Sequence, residues 1–211
     1  MTPSLWIKIC GVTSVEDACA VAEAGADAIG LNFAPQSPRL LGLELAREIV
    51  RAVGSRVEWV GVFVDAQPDF IRHVQDIVGL DWLQLHGSES RADVEGWGGR
   101  AFKALRIGDA HDVDLALGFP GDRLLVDAKV SGAQGGTGAT FDWSLLGPLS
   151  QRRVVLAGGL KPENVAEAVR MVNPFGVDTA SGVESVPGKK DHERVREFVR
   201  QVRAAEREPA P

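Results

Sequence analysis

The chain has 211 residues, of which 45% are hydrophobic and 25% charged, with a net charge of -6 at pH 7. These are values of a single globular domain that buries roughly 70% of its unfolded surface, and the acidic balance argues against a nucleic-acid binder, which would carry a basic face. Two cysteines in separate contexts make no disulfide framework and fit a reducing cytoplasm; no basic segment precedes an apolar run at the N-terminus, and no apolar run approaches the ~20 residues that span a bilayer.

In chain order, short apolar runs alternate with amphipathic stretches. Leu5 to Cys10 reads as the first strand, followed by a capping box from Thr13, as N-cap, to Glu16 and a helix to about Ala24. Ala28 to Phe33 is the second strand, Gln36 to Arg39 a loop, and the next helix places Leu45, Ile49, Val50 and Val53 on one side. Val57 to Val64 is the third strand; Pro68 opens a helix carrying Ile71, Val74 and Val78, where its missing N–H is harmless. Trp82 to Leu85 is the fourth strand, with His86-Gly87 as its exit, and a weaker helix runs through Val94 and Trp97.

Ala101 to Ile107 is the fifth strand, and the poorly patterned Asp109 to Phe119 predicts a short or degenerate fifth helix. Arg123 to Ala128 is the sixth strand. A glycine-rich loop, Lys129 to Thr140, follows and is expected to act as a lid; Asp142 is expected to cap a short helix. Arg153 to Ala157 is the seventh strand, Pro162 opens a helix, and Phe175 to Asp178 is the eighth strand. Asp191 caps a last helix whose Val195, Phe198, Val199 and Val202 follow helical spacing. Residues 206–211 read as a disordered tail.

Eight strands, each followed by a helix or a remnant of one, in a chain of this length favour a single-domain α/β fold over residues 1–205, a (β/α)8 TIM barrel of eight parallel strands. The rival is a doubly wound open sheet, but glycine here clusters at several strand ends rather than at one dominant turn. A barrel of this kind works at the C-terminal ends of its strands. Polar or small residues stand at those ends: Cys10-Gly11, Asn32, Asp65, His86, Asp127, Gly158-Gly159 and Asp178. Strand alternation puts Lys8 and Trp6 inside with Cys10, and a lysine there needs a partner, for which Asp178 and Asp127 are the candidates.

Each candidate has a bland reading as well. A cysteine on an apolar strand is often a small buried hydrophobe. Asp127 closes an apolar run, where a carboxylate is costly unless paired or functional. His86 serves equally as a substrate ligand or a strand-end cap, and Arg39 is most simply a solvated charge. Three glycine-rich turns, at Gly135 to Gly138, Gly158-Gly159 and Ser181-Gly182, suit a phosphate held by backbone N–H groups, which an acidic protein needs in order to bind an anion. No His, Cys, Asp or Glu cluster has metal-ligand spacing, and no GxSxG, Walker or dinucleotide motif is present.

Taken together, Lys8-Ile9-Cys10-Gly11, Ser37-Pro38-Arg39, Gln84-Leu85-His86-Gly87, Val126-Asp127, Gly135-Gly136-Thr137-Gly138, Leu156-Ala157-Gly158-Gly159, Gly176-Val177-Asp178, Ser181-Gly182-Val183-Glu184 and Pro187-Gly188-Lys189-Lys190-Asp191 occur in this order. The set closely resembles the phosphoribosylanthranilate isomerases of tryptophan biosynthesis, from Lys8 to about Asp191. The resemblance implies a barrel without cofactor or metal that carries out an Amadori rearrangement of N-(5-phosphoribosyl)anthranilate. It implies Asp127 as general acid and Cys10 as general base; a cationic Lys8 close to both would help a thiolate form and hinder a protonated Asp127. Arg39 is then the ligand of the anthranilate carboxylate, His86 and Asp178 further substrate ligands, and Gly136, Gly138, Gly158, Gly159, Ser181 and Gly182 the phosphate site. The chain has no tyrosine, so an aromatic wall for the ring has to come from Phe or Trp. The related histidine-pathway isomerase has an aspartate where Cys10 stands; indole-glycerol-phosphate synthase has an N-terminal extension and a catalytic lysine. A non-enzymatic sugar-phosphate-binding barrel is the remaining alternative. A cytoplasmic monomer is expected, as no exposed apolar stripe demands a dimer.

Overall fold

The computed structural model describes residues 4–127 and 143–207. The expected lid, the Asp142 cap, Gly136, Gly138 and residues 208–211 lie outside the described residues. Eight parallel strands close into a barrel: β1 (Trp6–Cys10), β2 (Ala28–Asn32), β3 (Glu58–Phe63), β4 (Trp82–Leu85), β5 (Ala101–Arg106), β6 (Arg123–Asp127), β7 (Arg153–Ala157) and β8 (Gly176–Thr179). Each strand pairs with its sequence neighbour, and β1 closes the ring on β8 with Lys8 opposite Asp178. Closure leaves the eight-stranded barrel without a free edge.

The helices are α1 (Val15–Glu23), α2 (Leu43–Val53), α3 (Pro68–Val78), α4 (Arg91–Glu95), α5 (Ala110–Leu117), α6 (Val165–Val172) and α7 (His192–Ala205), with a 3-10 turn at Trp143–Leu149 after β6. The fifth helix is short, with eight residues capped by Asp109, but α4, with five, is shorter still. A small hairpin follows β8, formed by β9 (Glu184–Val186) and β10 (Lys189–Lys190).

Several local expectations give way to tertiary contacts. Ser14, not Thr13, caps α1, its Oγ accepting from Asp17 N at 3.1 Å, because the Thr13 hydroxyl donates to Gly188 O in the hairpin. On α2 the buried positions are Ala46, Ile49 and Val53, while Leu45 is exposed. Pro162 lies in a turn ahead of α6, where the Asn164 side chain accepts from Lys161 N at 2.8 Å. At the C-terminal end, the Glu206 carboxylate accepts from Leu5 N and Ser4 Oγ, joining the end of α7 to the start of β1.

Alternation on each strand makes two cores. Ile7, Ile9, Ile29, Leu31, Leu83, Leu124, Val126 and Leu156 face the helices. Val60, Phe102, Leu125 and Val155 fill the barrel, with Trp6 and Trp82 toward its N-terminal end. Arg123 plugs that end. Its guanidinium carbon lies 3.8 Å from the Trp82 ring centroid, 5.0 Å from Trp6 and 5.4 Å from Phe175, and its Nη1 lies 3.7 Å from Glu58 Oε2. The sealed base leaves the C-terminal end as the mouth.

Candidate active site

The first strand brings its inward side chains up the barrel in the order Trp6, Lys8, Cys10. Lys8 is fully buried, and its Nζ meets Asp178 Oδ1 at 2.8 Å. Of the two carboxylates expected for Lys8, Asp178 is therefore its partner. A buried ion pair is weak evidence of stability, because desolvating both charges offsets most of their attraction. Its presence one layer below a strand-end thiol points to a functional use. Space for Cys10 comes from Gly30 on β2: a Cβ there would lie 2.7 Å from Cys10 Sγ and 3.1 Å from Lys8 Cε.

Burial, with the Asp178 charge, pushes the Cys10 thiol above its ordinary value of 9.0; Lys8 and Lys190 pull in the opposite direction and are outweighed. Lys8 therefore lowers the thiol, but by less than burial raises it. Burial alone would lower Lys8, yet Asp178 and Cys10 together raise it, so the amine stays charged.

A second cationic layer comes from the hairpin. Lys190 is buried, and its Nζ donates to Cys10 O at 2.7 Å, Ala180 O at 3.2 Å and Glu184 Oε1 at 2.8 Å. Glu184 also accepts from Arg39, with Nε to Oε1 at 2.7 Å and Nη2 to Oε2 at 2.6 Å. Burial raises the Glu184 carboxyl, but its bonds to Arg39 and Lys190 win and hold it below the usual range. Gly11, at φ +72°, lets the Arg39 chain pass: a Cβ there would collide with Arg39 Cδ. Arg39 is thus a built part of the mouth, close enough to Cys10 for their charges to interact, rather than a solvated loop charge.

Across the mouth stand His86, beyond the end of β4, and Asp127, the last residue of β6. Gln84 Nε2 lies 3.2 Å from His86 Nδ1. Burial lowers His86 below its ordinary 6.5, although Asp127 opposes this, so the ring is neutral at pH 7. Buried polar atoms are normally satisfied, yet Gln84 Oε1 and Asp127 Oδ1 have no partner among the described residues. Both belong to inward-facing positions. Asp65, by contrast, has a structural explanation: in the left-handed region at φ 49°, it accepts from Ser88 N at 2.6 Å and Ser88 Oγ at 2.7 Å. Buried Lys103 ties the same loop through Gly87 O at 2.5 Å and Glu89 Oε2 at 2.8 Å.

Of the expected phosphate turns, Gly158 (φ +96°) and Gly159 (φ +67°) have the left-handed backbone that favours glycine at the β7 exit. Gly182 packs on the same exit, since a Cβ would strike Leu160 O. Ser181 opens the 3-10 turn that leads into the hairpin. The structure thus joins Cys10, Asp178 and Arg39 through Lys8, Glu184 and Lys190. It sets His86 and Asp127 across the mouth and gathers four of the phosphate candidates at the β7 and β8 exits. Sequence reasoning missed Glu184, Lys190 and Gln84 as site members. Among the described residues, no group of three or more His, Cys, Asp or Glu side chains is placed to hold a metal ion, and no helix is long and apolar enough to cross a membrane.

The closed parallel barrel, sealed at its base and lined at its mouth by a thiol, carboxylates and cations, is that of a (β/α)8-barrel enzyme. The model of the N-(5'phosphoribosyl)anthranilate (PRA) isomerase family matches residues 7–201, and the chain belongs to that family. It is 49% identical over 208 residues to the N-(5'-phosphoribosyl)anthranilate isomerase of Pseudomonas aeruginosa (strain LESB58), covering 98% of this chain and 99% of the relative. The phosphoribosyl anthranilate isomerase of Thermotoga maritima superposes with a TM-score of 0.87 at 42% identity, over 95% of this chain and 99% of that one. A phosphoribosyl anthranilate isomerase in complex with reduced 1-(o-carboxyphenylamino)-1-deoxyribulose 5-phosphate superposes with a TM-score of 0.85 at 39% identity, again over 95% and 99%. The Thermotoga maritima enzyme is described as dimeric in a further structure (TM-score 0.83, 39% identity, the same coverage).

Proposed function

We propose that the protein converts N-(5-phosphoribosyl)anthranilate to 1-(o-carboxyphenylamino)-1-deoxyribulose 5-phosphate, an Amadori rearrangement in L-tryptophan biosynthesis. The observation that carries this reading is the Cys10 thiol set against the Lys8–Asp178 pair at the mouth of a barrel of this family. Asp127 gives a proton to the ribose ring oxygen, the ring opens, and the anilino nitrogen becomes a protonated imine at C1. The Cys10 thiolate then removes the C2 proton, the imine accepts the electron pair, and the enolamine tautomerises to the ketone. Burial raises the thiol above its ordinary 9.0, so without substrate charge it holds its proton at pH 7. The positive charge of the imine adds to that of Lys8 and Lys190 and favours the thiolate, whose own proton passes to solvent before the C2 proton is taken.

Arg39 receives the anthranilate carboxylate, and His86 and Asp178 meet the sugar hydroxyls and the amine. Backbone N–H groups at Gly136, Gly138, Gly158, Gly159, Ser181 and Gly182 receive the phosphate. The molecule acts as a cytoplasmic monomer, unlike its dimeric relative. Among the described residues, the exposed large apolar side chains stand on the loop before α2 (Leu40), α2 (Leu45), the β3 exit (Val64), α3 (Phe70), α5 (Leu115 and Leu117), α6 (Met171) and the hairpin (Val186), and both cysteines are free thiols. Sedimentation showing a dimer at working concentration would contradict the monomer.

The activity is tested by the loss of anthranilate fluorescence from freshly made substrate. Wild type is expected to exceed the spontaneous rate, and Cys10→Ser and Asp127→Asn to fall toward it. Turnover that survives both changes would discard the acid–base assignment; no turnover by folded wild type would discard the function.

A further inference from the structure

We infer that Glu184 is a positioning residue for recognition of the substrate's carboxylate, acting by locking Arg39 with one edge of its guanidinium turned to the ligand. A guanidinium offers two bidentate edges, a side edge formed by Nε and Nη2 and an end edge formed by Nη1 and Nη2. Glu184 occupies the side edge with bonds of 2.7 and 2.6 Å. Among the described residues, Nη1 makes no hydrogen bond, so the end edge is left for a second carboxylate. Glu184 is itself immobilised: its side chain is 4% exposed and also accepts from buried Lys190 at 2.8 Å. Gly11 opens the channel through which the Arg39 stem passes.

The charges support this division of labour. Arg39 and Lys190 contribute two positive charges and Glu184 one negative, so the trio is left with a single positive charge for an incoming anion. Without Glu184, two cations would repel each other, and Arg39 would swing toward solvent with its rotamer entropy restored. The inference rests on the reading of Arg39 as the carboxylate ligand, and it adds the residue that makes Arg39 selective.

The test compares the affinity of the protein for reduced 1-(o-carboxyphenylamino)-1-deoxyribulose 5-phosphate with that for the same compound lacking the ring carboxylate, by calorimetry. Wild type is expected to favour the carboxylated compound by about 10- to 100-fold. Glu184→Gln, Arg39→Ala and the double variant are each expected to lose most of that ratio while still binding the decarboxylated compound. The double variant should be no worse than Arg39→Ala, because Glu184 acts through Arg39. Since Glu184→Gln leaves buried Lys190 without its counter-ion, the ratio is also measured in Glu184→Gln/Lys190→Met. A wild-type ratio in either folded Glu184 variant overturns the inference and leaves the function standing. Failure of folded wild type to bind the carboxylated compound at all overturns the functional reading, and this inference with it.

Discussion

Gly30 on β2 faces Cys10 on β1 so closely that a methyl group in its place would lie 2.7 Å from the thiol sulfur. The same methyl would crowd the Cys10 backbone and the Lys8 stem, at 3.0 and 3.1 Å. The absence of one side chain therefore sets the position of the thiol over the ion pair. Gly30→Ala is expected to lower stability by about 1–3 kcal/mol, the usual overpacking range. Displacing the base should lower kcat by about 100-fold. Denaturant midpoints and initial rates check both; unchanged kcat would mean that Cys10 need not sit where it does.

The alkaline limb of stability follows from two raised groups. The folded state holds the Cys10 proton above its ordinary 9.0 and the Lys8 proton above its ordinary 10.5. Above each of these values the unfolded chain binds fewer protons than the native one, so stability falls as pH rises. Decline is expected to begin near pH 9, and Cys10→Ser should delay the onset toward the Lys8 range. In wild type, kcat/KM should still be climbing at pH 9, because the free-enzyme base is a protonated thiol. A plateau by pH 8 would contradict that.

Gln84 contributes through His86. With its amide N–H aimed at Nδ1, it favours the ring tautomer that carries hydrogen on Nε2. Nitrogen NMR of labelled histidine is expected to show that tautomer at pH 7. Gln84→Glu, which places a carboxylate beside Nδ1, should raise the His86 pKa and transfer hydrogen to Nδ1. The stability contribution of the lowered His86 is present above 6.5 and lost as pH falls below it, and Gln84→Glu should flatten that acidic limb. An unaltered histidine titration in Gln84→Glu would rule out the coupling.

Arg123 supports the base of the barrel, away from the mouth. The guanidinium gains cation–π contacts with Trp6, Trp82 and Phe175, but burial disfavours its charge and leaves Nε and Nη1 without hydrogen-bond partners among the described residues. Arg123→Leu is expected to cost no more than about 2 kcal/mol in chemical denaturation, since it removes a desolvated charge along with the ring contacts, with kcat unchanged, because residues at the N-terminal end of a barrel serve stability. A fall in kcat without a fall in stability would show that the two ends communicate.

Much of the site was legible because its residues stand at strand ends. Cys10, Asp127 and Asp178 each close an apolar run, and alternation alone placed Lys8 beneath Cys10. The second layer was not legible. Lys189 and Lys190 are adjacent and alike, and nothing local tells them apart, yet Lys189 is exposed and Lys190 is buried against Cys10 O. Glu184 likewise carried no local sign of its bonds to residues 145 positions earlier and 6 positions later. Thr13 lost its capping role to Ser14 for the same reason, a distant partner in the hairpin.

The sequence by itself determined the eight βα units, the inward set on each strand and the end of the barrel where chemistry belongs. These depend on periodicity and on turn residues, which act over a few positions. Only the tertiary structure decided which charges meet. Ring closure put β8 beside β1 and so chose Asp178 for Lys8; the hairpin after β8 folded back and supplied Lys190 and Glu184. Burial, which no local pattern measures, then outweighed the neighbouring cations and left the Cys10 thiol holding its proton.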